Sequence, residues 1–167
     1  MDPTLAARAA RIRLAVFDVD GVFTDGRLLF GAQGETLKVF HVRDGHGIKR
    51  LIGAGVAVAV ISGRSSPIVA ARMTELGVDE VHQGTDDKLP VLQALLARLG
   101  IGGDECCYCG DDEPDLAALR AVGLACAPAD AHPAVRAVAN VVTRAAGGAG
   151  AVREVCDLLL AAREGAR

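Results

Sequence analysis

The stretch Leu14-Ala15-Val16-Phe17-Asp18-Val19-Asp20-Gly21-Val22-Phe23-Thr24-Asp25 decides the fold, because a short apolar run ends in two carboxylates two residues apart. Four apolar residues without alternation suit a strand buried on both faces of a parallel sheet. Ligands of such sheets gather at the carboxyl ends of the strands, where Asp18 and Asp20 fall. In extended backbone the i, i+2 spacing sends both side chains to one face. Two carboxylates on one substrate invite a division of labour: one is a nucleophile, the other an acid and base, both near a divalent cation that takes hard oxygen ligands.

Outward from this strand, strand and helix signals alternate to the end of the chain. This predicts an α/β domain, a mainly parallel sheet flanked by helices, with residues 1–167 read as one domain. Residues 27–30 and 35–40 flank Gly31-Ala32-Gln33-Gly34 and predict a β-hairpin inserted after the first strand, over about 22–40. Asp44 is expected to cap a helix running to about residue 54, ahead of a second buried strand at 56–61. Ser66-Pro67 opens the next helix and Gly77 ends it; a strand near 80–82 follows. Asp86 and Asp87 precede a helix reaching Leu99, and Cys106–Cys109 reads as a strand ending in Gly110-Asp111-Asp112, a second acidic strand end. A helix around 115–122, a strand at Leu124–Ala127 and a flexible Gly-rich stretch over about 145–150 lead to a final helix at about 152–162.

Composition narrows the function classes. With 51% hydrophobic but only 3% aromatic residues, the core is expected to be built of Ala, Val, Leu and Ile. A net charge of −3 and the lack of a Lys/Arg run argue against nucleic acid as a partner. Residues 1–13 carry no long apolar segment, so neither a secretory signal nor a membrane anchor is read there and the expected compartment is the cytoplasm. Cys106, Cys107 and Cys109 fall in a predicted buried strand, and neither Cys126 nor Cys156 supplies a second ligand pair. Reduced core thiols are therefore expected rather than a zinc site.

Four polar groups fall just beyond successive strands or at the following helix starts: Asp18 with Asp20, Ser62, Lys88, and Asp111 with Asp112. Each has an ordinary structural use, as turn former, loop hydroxyl, surface charge or helix cap. Their conjunction, in order and along one sheet edge, argues for a shared site. Their order and placement resemble the four motifs of the haloacid dehalogenase superfamily of phosphotransferases. The resemblance implies that Asp18 attacks phosphorus, while Asp20 protonates the departing oxygen and then deprotonates the hydrolytic water. It assigns Ser62, followed by Gly63, to the phosphoryl oxygens and Lys88 to the fixed positive charge. It also implies a Mg²⁺ site made by Asp18, the Asp20 backbone carbonyl and Asp111, with Asp112 or Asp115 in support.

The intervals between these motifs hold no cap domain, so the site is expected to be covered by something else, and a neighbouring subunit could do so. Residues 39–49 (Val-Phe-His-Val-Arg-Asp-Gly-His-Gly-Ile-Lys), 61–66, His82-Gln83-Gly84, Asp87-Lys88-Leu89 and 147–158 are similar to the cap-less, sugar-phosphate subgroup of the superfamily. This closer resemblance covers nearly the whole chain after Arg13. It implies hydrolysis of 3-deoxy-D-manno-octulosonate 8-phosphate (Kdo 8-phosphate) for lipopolysaccharide, and a homotetramer built through the hairpin. Substrate contacts are implied at Asp20, His41, Val42, Arg43, Asp44, Gly45, Lys49, Arg64, Arg72 and Lys88. An anionic sugar acid does need cations beyond Lys88, and Arg43, Arg64 and Arg72 could grip a carboxylate or phosphate by paired hydrogen bonds. One departure stands out: the subgroup has Arg where this chain has Ala149, while Arg153 is kept. Two other readings compete, a nine-carbon, sialic-type ulosonic acid 9-phosphate as substrate and a receiver-like phosphoacceptor module. Receivers place the acidic pair on the first strand and the acceptor on a middle one, the reverse of the order here.

Overall fold

The computed structural model describes residues 2–165. A short helix α1 (Pro3–Ala10) leads into β1 (Leu14–Phe17), which the hairpin β2 (Leu29–Gly31) and β3 (Gly34–Leu37) follows. The chain then alternates: α2 (Val42–Gly53), β4 (Ala57–Ser62), α3 (Pro67–Leu76), β5 (Glu80–Gln83), α4 (Lys88–Leu99) and β6 (Cys106–Cys109). It closes with α5 (Leu116–Arg120), β7 (Leu124–Ala127), α6 (Pro133–Val138), β8 (Val141–Val142) and α7 (Ala151–Gly165). Six strands form one sheet in the order β5-β4-β1-β6-β7-β8, every pairing parallel. The predicted α/β class and the hairpin insertion are therefore both present.

The unbroken apolar run of β1 has the predicted cause. Ala15 and Phe17 join one core with residues of α1, α2, α3 and α7, while Leu14 and Val16 join a second core with residues of α4, α5 and α6. Asp18 follows in phase with Leu14 and Val16. Its backbone N–H continues the ladder to the Cys109 carbonyl at 3.0 Å, so the carboxylate starts from fixed backbone. β1 pairs with β4 on one side and β6 on the other, and from β1 the chain order runs outward in both directions. The β1/β6 boundary is thus the switch point at which a ligand crevice opens. Between β1 and β4 the chain adds only the hairpin and α2, and between β4 and β5 only α3; no cap domain occurs among the described residues.

Several expectations need correction. The hairpin is shorter than read, an exposed strand of three residues and a half-exposed one of four around Ala32-Gln33. α1 was not foreseen, although its signal is the Asp2-Pro3 pair: Asp2 accepts hydrogen bonds from the N–H groups of Thr4 and Leu5, and Pro3 opens the helix. His41, not Asp44, caps α2, its ring accepting from the Arg43 N–H at 3.1 Å. Asp44 turns inward instead and accepts from the Arg153 N–H at 2.8 Å, holding the first turn of α7. The Gly-rich stretch is packed rather than loose. Gly148 donates to the Val22 carbonyl at 3.0 Å, and a Cβ on Gly147 would strike the backbone of Gly21. These glycines serve close approach between two loops, the second use the residue type has besides freedom.

Candidate active site

At the switch point a cavity of about 320 Å³ is lined by residues that include Asp18, Asp20, Ser62, Gly63, Arg64, Lys88, Asp111 and Asp115. That volume is at the lower end of ligand clefts, enough for a small phosphate ester. Lys88, at the first position of α4, is 4% exposed, and its Nζ lies 3.0 Å from Asp18 Oδ1 and 2.7 Å from Asp115 Oδ1. Asp115 is saturated: it also accepts from the Tyr108 hydroxyl at 2.8 Å and from the N–H groups of Asp111 and Asp112 at 3.0 and 3.3 Å. Gly21, at φ +89°, brings its backbone so close to Asp111 that any Cβ there would overlap the carboxylate.

Asp18, Asp111 and Asp115 each bring a carboxylate oxygen within 4.8 Å of the others, while a single ammonium, that of Lys88, is bonded among them. The excess negative charge is visible in the titration of the site. Burial, then the nearby Asp115, push Asp18 up to about 6, and burial, Asp18 and Asp115 push Asp111 up to about 8. Burial alone would lower Lys88, but the charges of Asp18 and Asp115 outweigh it and raise its pKa. Asp18 Oδ1, despite its ion pair, and Asp111 Oδ1 are buried without a directed hydrogen bond. Two orphaned carboxylate oxygens in a cluster short of positive charge fit a divalent cation with oxygen ligands. Asp18 and Asp111 have lone pairs to offer; Asp115, already taken by four donors, supports from behind.

The sequence-predicted residues divide into two groups. Asp18, Asp20, Ser62, Arg64, Lys88 and Asp111 meet at the cavity. Val42, Gly45, Lys49 and Arg72 line a separate concavity with His46 and Glu75, Arg43 lines a third with Ala149 and Arg153, and Asp44 is buried. Within one chain none of these residues, nor His41 at the cap of α2, lines the Asp18 cavity: α2, packed against α7, carries Val42 to Lys49, and Arg72 stands on α3. Asp20 is also turned away from the acidic cluster, its two oxygens facing Lys38 and Arg64. Lys38, Glu35 and Tyr108 were missed. Lys38 and Glu35 fall in a predicted hairpin strand and Tyr108 in a predicted buried strand, and no local signal marks any of them.

A buried carboxylate paired with a lysine at the switch point of a parallel sheet, beside an acidic cluster, fits the aspartate-based phosphotransferase class that the motif order resembles. Comparisons with known proteins agree. A family model described as haloacid dehalogenase-like hydrolase matches residues 80–154. The 3-deoxy-D-manno-octulosonate 8-phosphate phosphatase KdsC of Yersinia pestis is 48% identical over 157 residues, covering 94% of this chain and 84% of the relative. The crystal structure of the Yersinia pestis phosphatase superposes with a TM-score of 0.95 at 47% identity, covering 97% of this chain and 88% of that one. That of the Moraxella catarrhalis phosphatase, in complex with magnesium, phosphate and KDO, gives a TM-score of 0.95 at 41% identity, covering 98% and 94%. The chain belongs to the haloacid dehalogenase-like hydrolases, in the family of these Kdo 8-phosphate phosphatases.

Proposed function

We propose that this protein hydrolyses 3-deoxy-D-manno-octulosonate 8-phosphate to the free sugar acid and phosphate, with Mg²⁺ as cofactor. The observation that carries the reading is the Asp18–Lys88–Asp115 chain beside Asp111 at the switch point. The near full-length likeness to phosphatases of that substrate supports the choice of sugar. Asp18 attacks phosphorus and forms an aspartyl phosphate, and Lys88 holds its carboxylate in place and offsets the approaching negative charge. Asp20 gives its proton to the departing sugar oxygen and then takes one from the water that cleaves the acyl phosphate, so the enzyme returns to its starting state. Ser62, buried at the end of β4, donates to the phosphoryl oxygens, and the Gly63 backbone can approach them closely. Asp18, Asp111 and the Asp20 carbonyl would hold Mg²⁺, which would supply positive charge to neutralise the phosphoryl group.

The cations missing from the cavity of one chain are supplied, in this reading, by a second copy in a homotetramer. Leu28, Leu29, Phe30, Leu37 and Val39 are exposed on and beside the hairpin, a patch that assembly would cover. His41, Arg43, Lys49 and Arg72 are then available to a neighbour's substrate. Five free, buried cysteines support a reducing, cytoplasmic setting. Among the described residues no helix is long and apolar enough to cross a membrane.

The test is phosphate release from a panel of sugar phosphates with and without Mg²⁺. Selective, metal-dependent release from Kdo 8-phosphate is expected; preference for a nine-carbon 9-phosphate would move the substrate assignment. Asp18→Asn is expected to lower turnover by roughly a thousandfold or more while leaving the fold intact. Near-normal activity in that variant would end the covalent reading.

A further inference from the structure

The hairpin reaches back into the site through one ion-pair network centred on a shielded lysine. Lys38, the residue after β3, has a side chain only 1% exposed, bonds to Asp20 Oδ1 and lies 2.9 Å from Glu35 Oε1. Glu35 accepts from the Ser66 hydroxyl at 2.6 Å, and Arg64 spans the pair, 3.6 Å from Glu35 Oε1 and 3.6 Å from Asp20 Oδ2. The Arg64 guanidinium in turn lies over the ring of Phe30, 5.8 Å from its centroid. Burial pushes Glu35 up, but its bonds to Ser66 and Lys38 outweigh that and hold the carboxylate below its usual range.

A lysine leaving a short exposed hairpin ordinarily keeps its ammonium in water, and removing it from water costs free energy unless it is paired. Here it is paired, and with one carboxylate of the active site. Lys38 does not line the 320 Å³ cavity, whereas Asp20 and Arg64 do. Whatever it does for the reaction, it does through them. Asp20 stands on the loop after β1, beyond the sheet ladder, and a misplacement of about 1 Å in an acid/base group can cost on the order of a hundredfold in rate.

We propose that Lys38, seated by Glu35, is a positioning residue that fixes the Asp20 carboxylate at the edge of the phosphoryl site. The hairpin is then part of the hydrolytic machinery as well as a surface for assembly. This rests on the reading of Asp20 as acid and base given above.

A double-mutant cycle on the full chain tests it, using Mg²⁺-dependent hydrolysis of p-nitrophenyl phosphate and of Kdo 8-phosphate. Lys38→Met is expected to lower kcat by about tenfold or more with KM within about twofold, since a group acting through the acid/base residue changes the transition state rather than binding. In an Asp20→Asn background the same substitution is expected to change kcat by less than about twofold, because the residue it positions is already disabled. Lys38→Arg, which keeps a cation, should recover a large part of the loss. An equal loss with and without Asp20, a rise in KM at constant kcat, or unchanged kinetics would each overturn the proposal. Should Lys38→Met fail to fold, Glu35→Gln unseats the lysine while leaving its charge, and carries the same cycle with the same outcomes. If the wild type cleaves the aryl ester and not Kdo 8-phosphate, the substrate reading fails alone and the cycle still decides the role of Lys38. If it cleaves neither, both fail.

Discussion

Asp115 has no exposed surface and accepts from Lys88, Tyr108 and two backbone N–H groups, so the site hangs on a residue that need not touch substrate. Asn at this position has the same shape but only one acceptor oxygen, and its amide would face donors. Breaking one side of a buried ion pair costs about 3–5 kcal/mol. Asp115→Asn is therefore expected to lower the urea midpoint strongly and to weaken Mg²⁺ binding, read by denaturation and by metal titration; an unchanged midpoint would show that Asp111 and Lys88 hold their places without it. Residues of this kind explain what the sequence reading could and could not reach. Asp18, Ser62, Lys88 and Asp111 were legible because each follows a strand or opens a helix at one sheet edge. The part played by Tyr108, Glu35 and Lys38 was not, because it depends on which side chains meet across 7 to 31 positions of chain.

At the scale of elements, the hairpin and α7 show how much context decides. Two strands of three and four residues are marginal by themselves. The Lys38–Asp20 and Ser66–Glu35 bonds tie one side of the hairpin to the domain and leave Phe30, 61% exposed, on another. If that face joins copies of the chain, Leu29→Glu combined with Val39→Glu should shift the assembly from tetramer to smaller species in light scattering, with little change in the melting of the individual subunit. A wild type that is already monomeric would remove the hairpin from any role in assembly. For α7, the sequence marks the amphipathic run but not its cap, which comes from Asp44 more than a hundred residues away. Asp44→Ala is expected to cost about 1–2 kcal/mol, the usual worth of a helix cap, measured by urea unfolding. The same separation explains the cap of α2: Asp44 is a sound local capping residue, but the distant start of α7 takes it, and His41 caps α2 instead.

For the whole molecule, the alternating pattern and the two acidic strand ends were enough to place the site, since a parallel sheet with its switch at β1 leaves one edge for a ligand. The concentration of negative charge at that edge has a consequence for global stability. Asp18, pushed up to about 6, and Asp111, pushed up to about 8, are both harder to ionise in the folded protein than in the unfolded chain. A carboxyl group raised in this way contributes stability that is fully present below its unfolded value and is lost as pH rises through the folded one. Without metal, the two groups together make the fold less stable as pH climbs from about 4 to about 8. Lys88 is raised as well, but it stays charged in both states across that window and adds no slope there. A bound divalent cation favours the ionised carboxylates and binds the folded state, so it should reverse the trend. For a chain of this size 1 kcal/mol corresponds to about 2–4 °C in Tm. Saturating Mg²⁺ is thus expected to raise Tm by at least about 5 °C more at pH 8.5 than at pH 5.5, measured by thermal melts against a chelator-treated control. Asp111→Asn carries no ionisable group at that position, so it should make the metal-free protein more stable than wild type at pH 8.5 while removing most of the gain from Mg²⁺. A metal increment that is flat with pH, or a metal-free Asp111→Asn protein less stable than wild type at pH 8.5, would mean that the acidic edge is not held under charge repulsion, and that Asp111 serves the fold rather than the cation.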